Sequence, residues 1–392
     1  MSAILILALL LYAPLLLVDL VFLAEVLLGV LPLPAPPPLG ASPRIALIVP
    51  AHNEEGIVRA TVEGLVAASP PGTRVLLVAH NCNDGTAAEA RAGGAEVLVL
   101  DEPGRRGKGY ALAGGRAALA ADPPEVVVLI DADCTAEPGA IARLADSAWR
   151  HGAAVQASYL FRPRAGTAAV VAISNFAMLV KNLVRQRGGR RLGAPALLTG
   201  SGMAFPWALF ERLELATGHI VEDLMMGVEL VAMGRPPRFE DRATIWSDPS
   251  SAAGTGTQRA RWEGGFLATG VKLGLPLALR GAIGGRWRSF WMGLHLLTPP
   301  LTLLLVTNGA ALLIFALIAL MGAGAGGFWL ALGMTGLIVA AVLAAWAAAG
   351  RAMLPAAVLV RLPLYLGWKL MLYTRIMRGR ETPAWIRTER VD

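Results

Sequence analysis

The sequence predicts an α/β domain built on a parallel sheet covered on both faces and flanked by transmembrane helices. Three observations predict it. Residues 44–288 carry 27 Lys+Arg against 23 Asp+Glu, a normal density for a soluble domain, while residues 1–43 hold only Asp19 and Glu25. Residues 289–350 hold no Asp, Glu, Lys or Arg at all. Within the charged stretch, short apolar β-branched runs alternate with Ala-rich helical runs, the pattern of strands covered on both faces. Across the chain 55% of residues are hydrophobic and 16% charged, against roughly 25% charged in soluble domains. That balance excludes a disordered chain, a coiled coil and a simple soluble enzyme. Cys82 and Cys134 are the only cysteines, too few for a disulfide framework or a zinc cage.

The elements follow in order. The apolar run Ala3–Leu31 exceeds the roughly 20 residues that cross a bilayer, so residues 1–31 are expected to form a transmembrane helix. A cleaved signal peptide would want a basic n-region and a shorter apolar core. Residues 32–43, rich in proline, make a stiff spacer. Strands are expected at 44–50, 75–79, 96–100 and 125–130, with helices at 56–68, 86–92 and 107–121, in a domain spanning 44–265. Residues 266–288 are expected to be interfacial helices. The charge-free stretch 289–350 divides at Gly322–Gly327 into two transmembrane helices, near 293–321 and 328–349, with Pro299-Pro300 kinking the first.

Residues 351–392 contain eight basic and three acidic groups, which supplies +5 of the net +7. Arg361, Pro363 and Lys369 interrupt the apolar stretch 353–377, and a charge at mid-bilayer is costly. We therefore expect three spans, then an interfacial amphipathic helix and a basic cytoplasmic tail. The positive-inside rule places tail and middle domain together in the cytoplasm of a bacterial-type inner membrane. The tail reads as an anchor to anionic lipid, not as a nucleic-acid site.

Ligands collect at the carboxyl ends of parallel strands, where His80 and Asp131-Ala132-Asp133 fall. Two carboxylates one residue apart make a hard-oxygen site suited to Mg²⁺ or Mn²⁺; helix capping by Asp131 is the plainer reading. Arg105-Arg-Gly-Lys-Gly109 is a basic loop before a helix, suited to an anion or merely solvated. Glu222 and Asp223 open a helix, where capping explains one acid but not both. Gln258, Arg261 and Trp262 share a helix face at i, i+3 and i+4. An amide, a guanidinium and an indole suit a diphosphate and a sugar ring; a membrane-interface Arg–Trp pair is the alternative. The basic stretch Lys181–Arg191 and the segment Ala194–Phe205 suit an acceptor with an anionic head, or a solvated face.

Taken in order, Val49–Glu55, Arg106–Leu112, Asp131-Ala-Asp133, Gly200–Phe205, Val221-Glu-Asp223 and Gln258-Arg-Ala-Arg-Trp262 resemble the membrane-bound inverting glycosyltransferases of family 2, with a GT-A catalytic domain. Cellulose, hyaluronan and ceramide-glucose synthases share that plan, which implies a Rossmann-like mixed sheet, and the closing pieces Leu362-Pro-Leu-Tyr-Leu-Gly-Trp-Lys369 and Trp385-Ile-Arg-Thr-Glu-Arg390 are similar to bacterial exopolysaccharide and glycolipid transferases. The resemblance implies that Pro50, Ala51, His52 and Glu54 line the nucleotide and that Lys108 helps to hold it. It implies that Asp131 and Ala132 meet ribose or donor sugar, Asp133 ligates the metal and Asp223 is the general base. Gln258, Arg261 and Trp262, with Glu222, would serve the diphosphate and acceptor. One departure is His80, standing at or beside the place where the family has an Asp that contacts the base or ribose; Asp84 or a neighbour would then take that contact.

The expected activity is metal-dependent, inverting transfer from a nucleoside-diphosphate sugar, UDP-linked by resemblance, to a lipid or lipid-linked saccharide. A processive polysaccharide synthase would want more spans for a channel. A polyprenyl-phosphate sugar transferase would lack the Gln-x-x-Arg-Trp element. A transporter would need polar or broken helices at mid-membrane, and an inactive scaffold subunit need not retain Asp131, Asp133, Asp223 and Arg261.

Overall fold

The computed structural model describes residues 3–35, 37–40, 43–219, 221–249 and 252–377. The chain divides into two compact units. Of the described residues, one comprises Leu33–Arg164 and Pro195–Gly265; the other comprises residues up to Pro32, Ala165–Ala194 and residues 266–377.

The first unit holds one eight-stranded sheet. Its strands are β1 (Ile45–Ala51), β2 (Arg74–His80), β3 (Glu96–Leu100), β4 (Val126–Leu129), β5 (Cys134–Ala136), β6 (Val155–Phe161), β7 (Met203–Pro206) and β8 (Arg238–Ser247). They lie in the order β3-β2-β1-β4-β7-β6-β8-β5. The first four are parallel, and they coincide closely with the strands expected from β-branched runs. β7 enters antiparallel to both β4 and β6, so the sheet is mixed. Alternate residues of β1 supply the two cores: Ile45, Leu47 and Val49 pack with the helices Glu55–Ala68 and Ala140–His151. Ala46 and Ile48 pack with the helices Lys108–Leu119 and Glu222–Ala232. Period-two alternation with apolar residues on both faces is what a sandwiched central strand requires. The carboxyl ends of the parallel strands β1, β2 and β4 lie at one edge of the sheet, which gathers residues 51–54, 80–84 and 131–133 there.

The second unit is helical. Five helices are long and apolar enough, by length and composition, to cross a membrane: Ala3–Gly29, Trp262–Ile283, Leu301–Leu320, Gly326–Gly350 and Ala356–Thr374. Two of them lie where interfacial helices were expected. Pro299-Pro300 does more than kink a span. It separates the helix Trp287–Leu297 from Leu301–Leu320, since consecutive prolines withdraw two donors and push Thr298 out of the helical region; its ψ is 112°.

Residues 165–194 belong to this unit, although the sequence reading places them inside the soluble domain. Their helix, Ala169–Leu179, continues through a wider turn at Val180–Val184 into Arg185–Arg191. It crosses the first helix at Gly29 and Gly188, where a Cβ on either glycine would run into the other helix's backbone. Small residues at such crossings let helices in an apolar medium approach closely. Arg185 Nε donates to Glu25 Oε2 at 2.6 Å, and Glu25 Oε1 lies 2.8 Å from His295 Nδ1 and accepts from Trp291 Nε1 at 3.0 Å. Arg191 donates to the carbonyls of Leu28, Leu31 and Pro32, capping the helix end. Two cations of the basic stretch are thus committed to the first helix.

Candidate active site

The helix Lys108–Leu119 begins after Gly107, whose φ of 133° only glycine adopts readily. Gly109 lets this helix start directly against the carbonyls of Leu215 and Thr217, which a Cβ would strike. The helix start thereby carries Lys108 into a nest of acids. Its Nζ lies 2.5 Å from Asp131 Oδ1, donates to Gly200 O at 2.7 Å and stands 4.0 Å from Glu222 Oε1. A Cβ placed on Gly200 would lie 3.6 Å from Asp223 Oδ2 and 3.7 Å from Lys108 Nζ. Burial works against the ammonium charge, but Asp131, Glu222 and Asp223 together hold the pKa of Lys108 above its usual value. One cation therefore joins the Asp131 and Glu222-Asp223 motifs, about 90 residues apart in sequence.

Glu222 and Asp223 occupy the first turn of the helix Glu222–Ala232, where the dipole favours negative charge. Asp223 Oδ1 accepts from the Leu224 amide at 2.8 Å. Burial pushes Glu222 up to about 8, with Asp223 and Asp131 adding to the shift and Lys108 opposing it. A folded value above the unfolded one means that stability is fully present at low pH and is lost as pH rises through about 8. In Glu222→Gln, the fall in Tm of the wild-type protein between about pH 4.5 and 8 should flatten. Parallel melting curves for wild type and variant across that window would sink this account.

Asp131, Asp133 and Cys134 offer ligand atoms all within 4.8 Å of one another. The Cys134 thiol donates to Asp133 Oδ1 at 3.2 Å, and burial, then the charge of Asp131, pushes it up to about 12. It stays a neutral thiol at ordinary pH, which leaves the oxygens of Asp131 and Asp133 as the donors. That donor set fits Mg²⁺ or Mn²⁺ and not a thiophilic metal.

At the ends of β1 and β2, Asn53 and Asn81 have φ of 57° and 53°, a left-handed conformation that asparagine tolerates best after glycine. Asn81 binds the 102–105 loop by its Oδ1, accepting from Glu102 N at 2.6 Å, and its Nδ2, donating to the carbonyls of Glu102 and Arg105. Pro50 and Ala51 end β1 with buried side chains, and Ala132 is buried too. His52 and Glu54 are half-buried; His52 Nδ1 lies 2.9 Å from the carbonyl of His80. The His80 ring itself is fully buried, and burial keeps its pKa low despite Glu102 nearby. Asp84 is engaged within the fold, accepting from the amides of Thr86 and Glu55 and from the Thr86 hydroxyl.

Trp262 stacks at 6.4 Å from Phe161, and the guanidinium of Arg259 lies over both rings, 5.0 Å from Phe161 and 5.2 Å from Trp262. Arg259 is only 2% exposed. The helix Ala252–Thr269 carries Gln258 and Arg261, whose side chains lie outside the described residues. Arg259, Asn81 and Gln156 escaped the sequence reading. A signal for Arg259 existed, since the element reads Arg-Ala-Arg, but periodicity alone favoured the outer arginine.

A family model described as "Glycosyltransferase like family 2" matches residues 43–265. An uncharacterized glycosyltransferase of Mycobacterium tuberculosis is 35% identical over 104 residues, 26% of this chain and 43% of that protein. The probable glycosyltransferase YdaM of Bacillus subtilis is 25% identical over 247 residues, 59% of each chain. The chain thus spans less than two thirds of the length of either relative. Among solved structures, a Pyrobaculum calidifontis mannosyltransferase in complex with GDP-Man and Mn²⁺ superposes with a TM-score of 0.56 at 21% identity, covering 96% of this chain and 98% of that one. At that identity the likeness concerns the fold.

Proposed function

We propose, from the premise that the chain belongs to glycosyltransferase-like family 2, that it moves a sugar from a nucleoside diphosphate to a hydroxyl of a membrane lipid or lipid-linked saccharide, with inversion. The observation that carries this reading is the single ammonium of Lys108 shared by Asp131, Gly200 and Glu222. It draws donor-side and acceptor-side motifs into one cluster. The donor is UDP-linked by the family resemblance, whereas the Pyrobaculum mannosyltransferase holds GDP-Man.

In this reading Pro50, Ala51 and Ala132 offer backbone to the nucleotide, while His52 and Glu54 offer side chains. His80 acts through the carbonyl that meets His52. Mg²⁺ or Mn²⁺, held by Asp133 with Asp131, would neutralise the charge developing on the departing diphosphate. Arg261 and Gln258 share that diphosphate, and Trp262, braced by Arg259, floors the acceptor pocket. Asp223 takes the proton of the attacking hydroxyl on the face opposite the leaving group. One displacement with no glycosyl-enzyme intermediate turns an α-linked donor into a β-linked product. The five apolar helices and the basic tail support a membrane acceptor and a cytoplasmic face for the domain.

The test is transfer of radiolabelled UDP- and GDP-sugars into lipid by the full-length protein in detergent. Label should enter the organic phase with Mn²⁺ or Mg²⁺ and stop entering it after EDTA. Hydrolysis or transfer that is unchanged by EDTA would remove the metal from the scheme, and absence of transfer from every donor would remove the scheme itself.

A further inference from the structure

The segment 199–202 touches both sides of the cluster. Gly200 O accepts from Lys108 Nζ at 2.7 Å, Ser201 Oγ accepts from the Asp131 amide at 3.1 Å, and a Cβ on Gly200 would lie 3.6 Å from Asp223 Oδ2. Two of its residues, Gly200 and Gly202, have φ of 87° and 69°. Gly202 is tied to the neighbouring strands, its N donating to Leu129 O at 2.9 Å and its O accepting from Ala157 N at 2.8 Å, while residues 199–201 before it belong to no strand or helix.

One buried side chain holds the segment. Gln156, fully buried in β6, accepts from the Thr199 amide through Oε1 at 2.9 Å. Its Nε2 donates to Ser201 O at 2.9 Å, with Gly202 O at 3.4 Å and Ala157 O at 3.0 Å. The amide spans the segment from its first residue to its last. It uses its acceptor and its donors in the orientation that the two kinks require. The other residues of β6 on either side are apolar or serve the sheet, so packing alone does not explain an amide here.

We propose that Gln156 is a positioning residue for sugar transfer: through the 199–202 segment it sets Asp131 and Lys108 on the donor side at a fixed distance from Asp223 on the acceptor side. This rests on the reading of the cluster as the transfer site. Gln156 touches neither substrate. Its effect is to fix the separation between the group that meets the donor and the group that takes the proton, and such separations enter the rate steeply.

The experiment compares Gln156→Leu, which keeps the volume and loses every hydrogen bond, with Gln156→Glu. Mn²⁺-dependent binding of nucleoside diphosphate, measured by calorimetry, counts intact sites. Gln156→Leu should still bind close to one nucleotide per chain, with kcat lowered about tenfold to a hundredfold and donor KM changed much less. Gln156→Glu presents a charged oxygen to three carbonyls at high pH, but a protonated carboxyl restores one acceptor and one donor. Its kcat relative to wild type at the same pH should therefore climb as pH falls, whereas that of Gln156→Leu should not. Unchanged kcat in Gln156→Leu overturns the proposal. If Gln156→Leu loses nucleotide stoichiometry, the pH profile of Gln156→Glu decides, and a flat ratio overturns it. Failure of the wild-type protein to transfer sugar would instead count against the proposed function, so the two failures read differently.

Discussion

Replacing Asp223 by asparagine should lower kcat by roughly 10²- to 10⁴-fold, the usual worth of a positioned general base. The substitution is close to isosteric. Its amide oxygen can still accept from Leu224 N, the contact that Asp223 Oδ1 makes at 2.8 Å, so the helix start is kept. Lys108 keeps Asp131 and Gly200 O as partners. What disappears is the capacity to take a proton from the acceptor. Donor binding and Tm should therefore stay near wild type while single-turnover transfer collapses. Wild-type turnover in Asp223→Asn would transfer the base role elsewhere, with Glu222 the adjacent carboxyl.

Replacing Lys108 by methionine should affect stability and rate together. The side chain is 15% exposed and its ammonium faces three acids, of which Asp131 lies at 2.5 Å. Removing one member of a buried ion pair costs about 3–5 kcal/mol because the remaining charge is stranded. Partial exposure here allows water to answer some of that, so a loss of about 2 kcal/mol is expected. Lys108 also opposes the upward shift of Glu222, so in the variant Glu222 should hold its proton to higher pH than about 8. The decline of stability with rising pH then extends further into the alkaline range. Thermal melts of Lys108→Met against pH, beside transfer rates, test both parts. A variant as stable as wild type at pH 7 would mean that the acids do not depend on this cation.

The sheet's parallel half was legible because each strand is a continuous apolar run bounded by turn formers, as in Val75–Ala79 and Val126–Ile130. The other four strands were not. Val155–Phe161 contains Gln156 and Ser158, and Arg238–Ser247 contains Glu240 and Asp241. Their polar residues are buried and satisfied by distant partners, Leu33 N on Asp241 among them, and a local pattern carries no trace of such partners. At the site, Lys108, Asp131, Glu222 and Asp223 were each visible as motifs, and the structure brings these four together. Gln156 and Asn81 work through backbone atoms far along the chain, which no spacing rule encodes. The excursion of residues 165–194 was hidden for the opposite reason. Its helix contains Asn175, Lys181, Asn182 and Arg185, and its polarity resembles a soluble surface until Glu25 is known to lie against it.

That acid sets an order on biosynthesis. Glu25 leaves the ribosome within the first apolar helix, and Arg185 follows 160 residues later. Trp291 arrives only after 266 residues have been added beyond Glu25. Until Arg185 is made, Glu25 has no such cation to meet it, in an apolar helix whose only other acid is Asp19, and a buried carboxylate left unpaired is costly. The first helix therefore completes its contacts to Trp291 and His295 only after every strand of the sheet has been synthesised.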